Sequence, residues 1–201
     1  MGSHRRQDLF PRDREIPADW RIVARHGGRI ANLVFRFDVG EAIDIQEAAA
    51  TLEGASYEPE IFGGVIFKRA GSLIVFKTGK GIVTGVRTVD GAELILAQFV
   101  DGMALGTREA ILELVTATVS FKASPINIAR VSSLEGVEVR PGNVGRAVFR
   151  HTLSPKFTAL LSRTGHVYVA GISNPAEVPQ ILRVMREGLG LRFRSALVAT
   201  E

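Results

Sequence analysis

Two phenylalanines mark the stretch of this sequence with the most specific chemistry. Phe62 and Phe76 lie within Tyr57–Gly85, YEPEIFGGVIFKRAGSLIVFKTGKGIVTG, which reads as three strands joined by tight turns. Phe62 opens the first strand and Phe76 closes the second, so pairing the two as a hairpin brings the rings together at one end. An aromatic pair offers no covalent chemistry. It is either core, which composition alone favours, or an apolar wedge on the rim of a sheet. The second alternative gains interest from the charge balance: 25 Lys and Arg against 21 Asp and Glu, a net +4 and a pI near 9.8. That balance suits an anionic partner such as nucleic acid without identifying one.

Other chemistries find little support. No Ser/His/Asp or paired-carboxylate constellation stands out, so no catalysis is expected. The four histidines, His4, His26, His151 and His166, lack metal-ligand spacing, and the absence of cysteine excludes disulfides and thiolate metal sites. No cofactor or small-molecule substrate is implied. No apolar run is long enough to span a bilayer, and the start lacks the apolar core of a signal peptide. The expectation is a soluble intracellular protein, cytoplasmic in a prokaryote and nuclear in a eukaryote.

The positioning elements follow from periodicity. Residues 30–38, IANLVFRFD, alternate as a strand with Leu33, Phe35 and Phe37 on the core face and Asn32, Val34 and Arg36 on the other. Asp44–Leu52 reads as a short helix with Asp44 as N-cap and Glu47 completing a capping-box pair. Val65–Phe67, Leu73–Phe76 and Ile82–Thr84 are strands, and residues 89–105 form an amphipathic helix. Residues 106–117 read as a link to a second pass. There Thr118–Lys122 is a strand, Ile128–Leu134 a weak helix, and Val144–His151, Lys156–Leu161 and Val167–Ala170 are strands. Asn174-Pro175 starts the last helix. Residues 5–28, rich in Arg, Asp and Pro, read as a loosely docked arm pinned at its end by Trp20 and Ile22; Met1–His4 has the look of a cloning remnant.

The two passes are one unit repeated. Thr78–Gly85 matches Thr164–Gly171 at an offset of 86, Gly64–Lys68 matches Arg146–Arg150 at 82, and Phe35-Arg36 matches Phe121-Lys122 at 86. Each unit reads strand, helix, strands, helix. The implied class is α+β, a single antiparallel sheet with helices on one face and the other face open. The expected organisation is an arm at 1–29, units at 30–106 and 107–190, and a tail at 191–201.

Residues 30–190 resemble the TATA-box-binding protein family, in its archaeal and eukaryotic core form. The first unit carries the resemblance best, through IANLVFRFDVGEAIDIQEAAATLEGASYEPEIFGGVIFK and LIVFKTGKGIVTG, which follow the family's Y-E-P-E-x-F-P-G and F-x-S-G-K-x-V-x-T-G patterns. The resemblance implies a saddle, a curved antiparallel sheet whose concave face lies on the minor groove of A·T-rich duplex DNA and whose convex face carries the helices. It further implies that Asn32 and Thr84 lie at the base edges and that Phe62 and Phe76 wedge into a base step and kink the duplex. Val34, Ile74 and Ile82 would form the apolar floor, with Lys68 and Lys80 near phosphates.

The second unit departs from the family pattern. Thr118 stands where Asn is expected, Val144 and Ser162 where the second Phe pair is expected, and Ala170 where Thr is expected. Leu160 and Tyr168 keep some apolar floor and Arg150 matches Lys68. Arg36 and Lys122, read as equivalent, would put two long cations on the concave face where the family has something small. The acidic loop that contacts transcription factor B in the family is Val139-Arg140-Pro141-Gly142 here, so that contact is lost or has moved to Glu58 and Glu60. The leading expectation is a divergent DNA-bending protein of transcription initiation or its regulation that works mainly through its first unit. The alternatives are a protein-interaction module on the same fold that no longer binds TATA DNA, or binding of RNA or single strands on the open sheet.

Overall fold

The computed structural model describes residues 17–105, 110–139 and 145–194. In the first unit β1 (Arg29–Asp38) buries Leu33, Phe35 and Phe37 and leaves Asn32, Val34 and Arg36 on the opposite face, as the alternation requires. α2 (Ile45–Thr51) is capped by the Asp44 carboxylate, which accepts the Gln46 and Glu47 amides at 2.9 and 3.0 Å. There follow β2 (Ala55–Ser56), β3 (Val65–Lys68), β4 (Ser72–Val75), β5 (Lys80–Val86) and α3 (Val89–Gly102). The second unit runs through β6 (Ile111–Lys122), α4 (Ile128–Val131), β7 (Val137–Glu138), β8 (Arg146–His151), β9 (Phe157–Ser162) and β10 (His166–Ile172). A 3-10 turn at Pro175–Glu177, capped by Asn174, leads into α5 (Val178–Leu189), which Gly190 ends in the left-handed conformation.

All ten strands join one antiparallel sheet in the order β2-β3-β4-β5-β1-β6-β10-β9-β8-β7. The order is symmetric about the β1–β6 pair, with two-residue strands at both edges, which limits the exposed pairing surface. Core-facing residues of every strand from β1 to β10 except the two edge pairs merge with Ala92, Ile95 and Phe99 of α3 and Ile181, Leu182 and Met185 of α5 in one cluster. The other face of this curved, unclosed sheet is open, giving an α+β saddle.

Three expectations need revision. Residues 111–117 do not form a link; they are the first half of β6, a strand of 12 residues. Ile111, Glu113 and Val115 are exposed while Leu112 and Leu114 are half-buried, so apolar residues on both faces hide the alternation. Phe62 does not open a strand, because β3 starts three residues later, and Phe76 lies just beyond β4. Finally, the end of the supposed arm is folded. A 3-10 turn (Ala18–Trp20) runs into α1 (Arg21–Arg25), with Trp20 only 2% exposed and Val23 equally buried. Ile22 is half-buried against the core.

α1 packs on β1 and also on the 3-10 turn at Pro175–Glu177, so it ties the start of the first unit to the turn that precedes α5. The chain turns from α1 into β1 through Gly28, where a Cβ would lie 2.4 Å from Phe121 Cε1 and 2.9 Å from Val23 Cγ1. Only glycine lets the backbone pass this close to the core. Trp20 is the sole tryptophan. Trp20→Ala should lower the unfolding free energy by about 3–5 kcal/mol in denaturant titrations followed by circular dichroism. A loss below about 1 kcal/mol would mean that the segment is not part of the cooperative fold.

Candidate nucleic-acid interface

The β1–β6 register defines how the halves correspond. Leu33 pairs with Ala117, Asn32 with Thr118 and Val34 with Thr116, while Arg36 pairs with Glu113 and Arg29 with Ser120. A two-fold relation through Leu33 and Ala117 maps each of these pairs onto another. Residues 84 positions apart are therefore equivalent on these strands: Asn32 with Thr116, Val34 with Thr118, Arg36 with Ser120 and Asp38 with Lys122. This corrects the sequence reading, which used an offset of 86 here and equated Asn32 with Thr118 and Arg36 with Lys122. On β5 and β10 the offset of 86 holds, since Ile82 pairs with Ile74 as Tyr168 pairs with Leu160.

Each half carries a glycine bulge beside its equivalent polar residue. Between Leu33↔Val86 and Phe35↔Val83 the β5 strand holds one extra residue, and Gly85 there has φ +80°; Gly171, with φ +88°, does the same in β10. A bulge frees backbone groups from the ladder, and side chains take them up. The Gly85 amide donates to Asn32 Oδ1 at 2.7 Å, and Asn32 Nδ2 donates to Thr84 Oγ1 at 3.1 Å. The amide orientation of Asn32 is thereby fixed. In the second half the Thr116 hydroxyl donates instead to the Ile172 carbonyl at 3.2 Å, and Ala170 stands where Thr84 stands in the first.

The aromatic pair meets as the hairpin argument expects. The Phe62 and Phe76 ring centroids are 5.5 Å apart at 57°, and the side chains are 36% and 38% exposed. They are rim residues, not core. Gly64 makes room for them, since a Cβ there would come within 2.9 Å of Phe62 Cε1 and 3.2 Å of Phe76 Cδ1. In the second half Ser162 bonds to Thr164 Oγ1 within its own turn at 2.9 Å. Val144 lies outside the described residues.

Between rim and dyad runs an apolar row. Arg36, Ile82, Ile74 and Ile66 are successive cross-strand neighbours, and Ser120, Tyr168, Leu160 and Val148 repeat the row. Ile66, Ile74, Ile82 and Val34 are half-exposed and Tyr168 is exposed. Ile66 and Val148 belong to this face, and strict alternation along Val65–Lys68 and Arg146–His151 signals both.

The cations divide by partner. Lys80 sits 3.1 Å from Asp38, whose carboxyl is held below its ordinary range first by the Gly40 amide and then by Lys80, against an opposing effect of desolvation. Arg150 lies 3.6 Å from Glu138. Lys68 is exposed and makes no ion pair among the described residues. Lys122 donates to the Thr164 carbonyl at 2.8 Å. Arg36 bonds through Nε and Nη2 to Glu113 Oε2 at 2.8 and 2.6 Å. So the two long cations neither share equivalent positions nor stand unpartnered. Thr118 is half-exposed on the open face beside Asn32. Glu58 and Glu60 are exposed in the turn before Phe62. Glu113 and Thr116 were absent from the sequence-derived site, since their partners lie 77 and 56 residues away.

A family model described as transcription factor TFIID (or TATA-binding protein, TBP) matches residues 28–104. The TATA-box-binding protein of Methanothermococcus thermolithotrophicus is 27% identical over 172 residues, covering 79% of this chain and 94% of the relative. That of Methanocaldococcus jannaschii is 26% identical over 165 residues, covering 77% and 89%. Among solved structures, Methanococcus jannaschii TBP superposes with a TM-score of 0.69 at 23% identity, over 81% of this chain and 98% of that one. No helix among the described residues is long and apolar enough to cross a membrane.

Because Asn32 satisfies the bulge, Asn32→Ala should expose the Gly85 amide to faster hydrogen exchange and cost about 1–3 kcal/mol of stability. Thr84→Val, which removes only the acceptor of the second bond, should leave Gly85 exchange near wild type. Equal exchange at Gly85 in all three proteins would overturn the assignment.

Proposed function

The chain belongs to the TATA-box-binding protein family, and from that premise we propose that it binds and bends A·T-rich duplex DNA through the minor groove, using mainly its first half, in transcription initiation or its regulation. The family is one of DNA-binding transcription factors, not enzymes. The exposed Phe62–Phe76 pair on the rim carries the proposal. An apolar pair left in water has a use when it enters a base step, where unstacking is offset by the protein surface that bent DNA can touch.

The polar chemistry supports the same reading. Asn32 Oδ1 is committed to Gly85, and Nδ2 uses one hydrogen on Thr84. The second Nδ2 hydrogen and the Thr84 hydroxyl hydrogen remain, so this spot presents donors. A·T pairs show only acceptors in the minor groove, and the match needs no rearrangement. The equivalent spot in the second half offers no such donors, because the Thr116 hydroxyl is spent on Ile172 and Ala170 has none to give. Half-exposed Val34, Ile66, Ile74 and Ile82 would lie on the groove floor, with Leu160, Tyr168 and Val148 as a weaker counterpart. Lys68, Lys80 and Arg150 would meet phosphates, and Thr118 and Lys122 would flank the centre.

The repeat units are taken as 30–106 and 107–190. Transcription factor B, if it docks, would meet Glu58 and Glu60 on the first half. The other reading is a protein-interaction module that no longer binds TATA DNA. One observation favours it, the carboxylate of Glu113 on the face turned to DNA.

Phe62→Ala combined with Phe76→Ala should abolish bending of a TATA-containing duplex measured by energy transfer between its ends, whereas Ser162→Ala should leave the bend unchanged. A double variant that bends DNA like the wild type would sink the wedge. Duplex affinity should fall steeply with salt, as phosphate contacts require. No affinity even at low salt would replace DNA binding with the interaction reading.

A further inference from the structure

The Arg36–Glu113 pair sits on the sheet face itself. Arg36 continues the cross-strand row of Ile82, Ile74 and Ile66, so the pair borders the apolar floor and not the rim where phosphates would run. Both side chains are more than half exposed, at 65% and 54%. The Arg36 Nε and Nη2 bonds converge on Glu113 Oε2 alone. That leaves Glu113 Oε1 with no hydrogen bond among the described residues, beside the uncommitted Nη1 donors of Arg36. The pair therefore offers an acceptor and donors side by side, with Arg36 offsetting the charge that a lone carboxylate would bring near phosphates.

In the minor groove a single donor exists, the 2-amino group of guanine, flanked by the acceptors guanine N3 and cytosine O2. The combination of one acceptor oxygen and adjacent guanidinium donors complements that edge. It does not complement an A·T edge, which has nothing for Oε1 to accept. The equivalent pair on the other side of the dyad, Ser120 with Arg29, contains no acid. Among the described residues its side-chain hydrogen bond is the Ser120 hydroxyl donating to the Arg29 carbonyl at 3.4 Å.

We propose that Glu113, held in place by Arg36, accepts the 2-amino group of a guanine and so gives this protein a preference for one G·C pair at a fixed position within an otherwise A·T-rich site. The proposal rests on the minor-groove reading above. Since the Arg36–Glu113 pair occurs on only one side of the dyad, the G·C position would also bias the direction in which the protein sits on DNA. Phe62, Phe76 and Asn32 already make the two orientations unequal, and an acid on one side of the dyad adds a base-dependent preference to that difference.

The test uses the full chain and a TATA-containing duplex in which each A·T pair is replaced in turn by G·C or by inosine·C. Inosine lacks only the 2-amino group. Wild type should bind G·C about tenfold more tightly than inosine·C at one position, and less tightly at the others, where the amino group intrudes. Glu113→Ala should erase the preference at that position while keeping all-A·T affinity within a few fold. The variant is expected to fold, because an exposed ion pair contributes little to stability. Glu113→Gln, which retains an acceptor oxygen, should keep part of the preference. Inosine·C binding as well as or better than G·C at every position would overturn the inference while leaving minor-groove binding intact. So would a preference that survives Glu113→Ala. If the wild type fails to bind any duplex of the series, the minor-groove reading itself falls.

Discussion

The antiparallel pairing of β1 with β6 is the contact on which the rest of the molecule depends. Each unit alone has a sheet with β1 or β6 at its border, and a border strand of ten or more residues would leave a long row of unpaired amides and carbonyls. Pairing the two borders with each other satisfies both and produces a continuous sheet whose free edges are only two residues long. It also puts all the helices on one side and leaves the other side without cover. The open face is thus a consequence of how the duplication closes its own edges. The segment Ala18–Arg25 reinforces the arrangement, because Trp20 of its 3-10 turn and Val23 of α1 bury themselves where it bridges β1 and the turn before α5.

The glycine bulges then determine what stands on that face near the dyad. Gly85 and Gly171 both break the ladder, and at each break a side chain takes up a freed backbone group. Asn32 answers an amide, and in doing so turns its own Nδ2 outward toward Thr84. Thr116 answers a carbonyl, and its hydroxyl hydrogen is consumed. The same structural demand is met in both halves, but the residue chosen decides whether any donor is left for a ligand. The difference between the two halves is therefore one of leftover hydrogen-bonding capacity, and it arises without any change in the fold.

Much of this was legible in the chain. The alternation of Leu33, Phe35 and Phe37, the Asp44 cap, the meeting of Phe62 with Phe76 and the helical faces of α3 and α5 follow from period and residue type. The correspondence between β1 and β6 did not. Phe35-Arg36 and Phe121-Lys122 look alike at an offset of 86, whereas the register is 84. A slip of two residues keeps every side chain on its own face, so the pattern of buried and exposed positions is indifferent to it; a slip of one would have been visible. β6 was also half missed, because Ile111 and Val115 are apolar on the open face and blur the alternation that Leu112 and Leu114 set up. Trp20 was legible as an anchor at the end of the arm, but the short helix that buries Val23 was not, because it is a brief segment among charged residues. Glu113 carries no local signal at all. Its role depends on Arg36 across the dyad strands, a contact that only the register reveals.

The two faces of the sheet have evidently been under different physical constraints. On the covered face Leu33, Phe35 and Val83 are buried and answered by Ala117, Val119 and Val169. Size varies between the halves, but all are apolar, because an unpartnered polar group there would cost more than the contact returns. On the open face the same register pairs Asn32 with Thr116 as equivalents, Ile82 with Tyr168, and Phe76 with Ser162. Water or a ligand can solvate any of these, so the fold does not discriminate among them. An alternating strand separates the two requirements residue by residue, which allows one half of a duplicated protein to lose its wedge and its donors and still complete the sheet that its partner needs. By the same logic the Arg36–Glu113 pair, one residue from each unit, could arise on one side of the dyad alone. It costs the core nothing, and it adds a charged feature to a surface that the wedge and the donors already make one-sided.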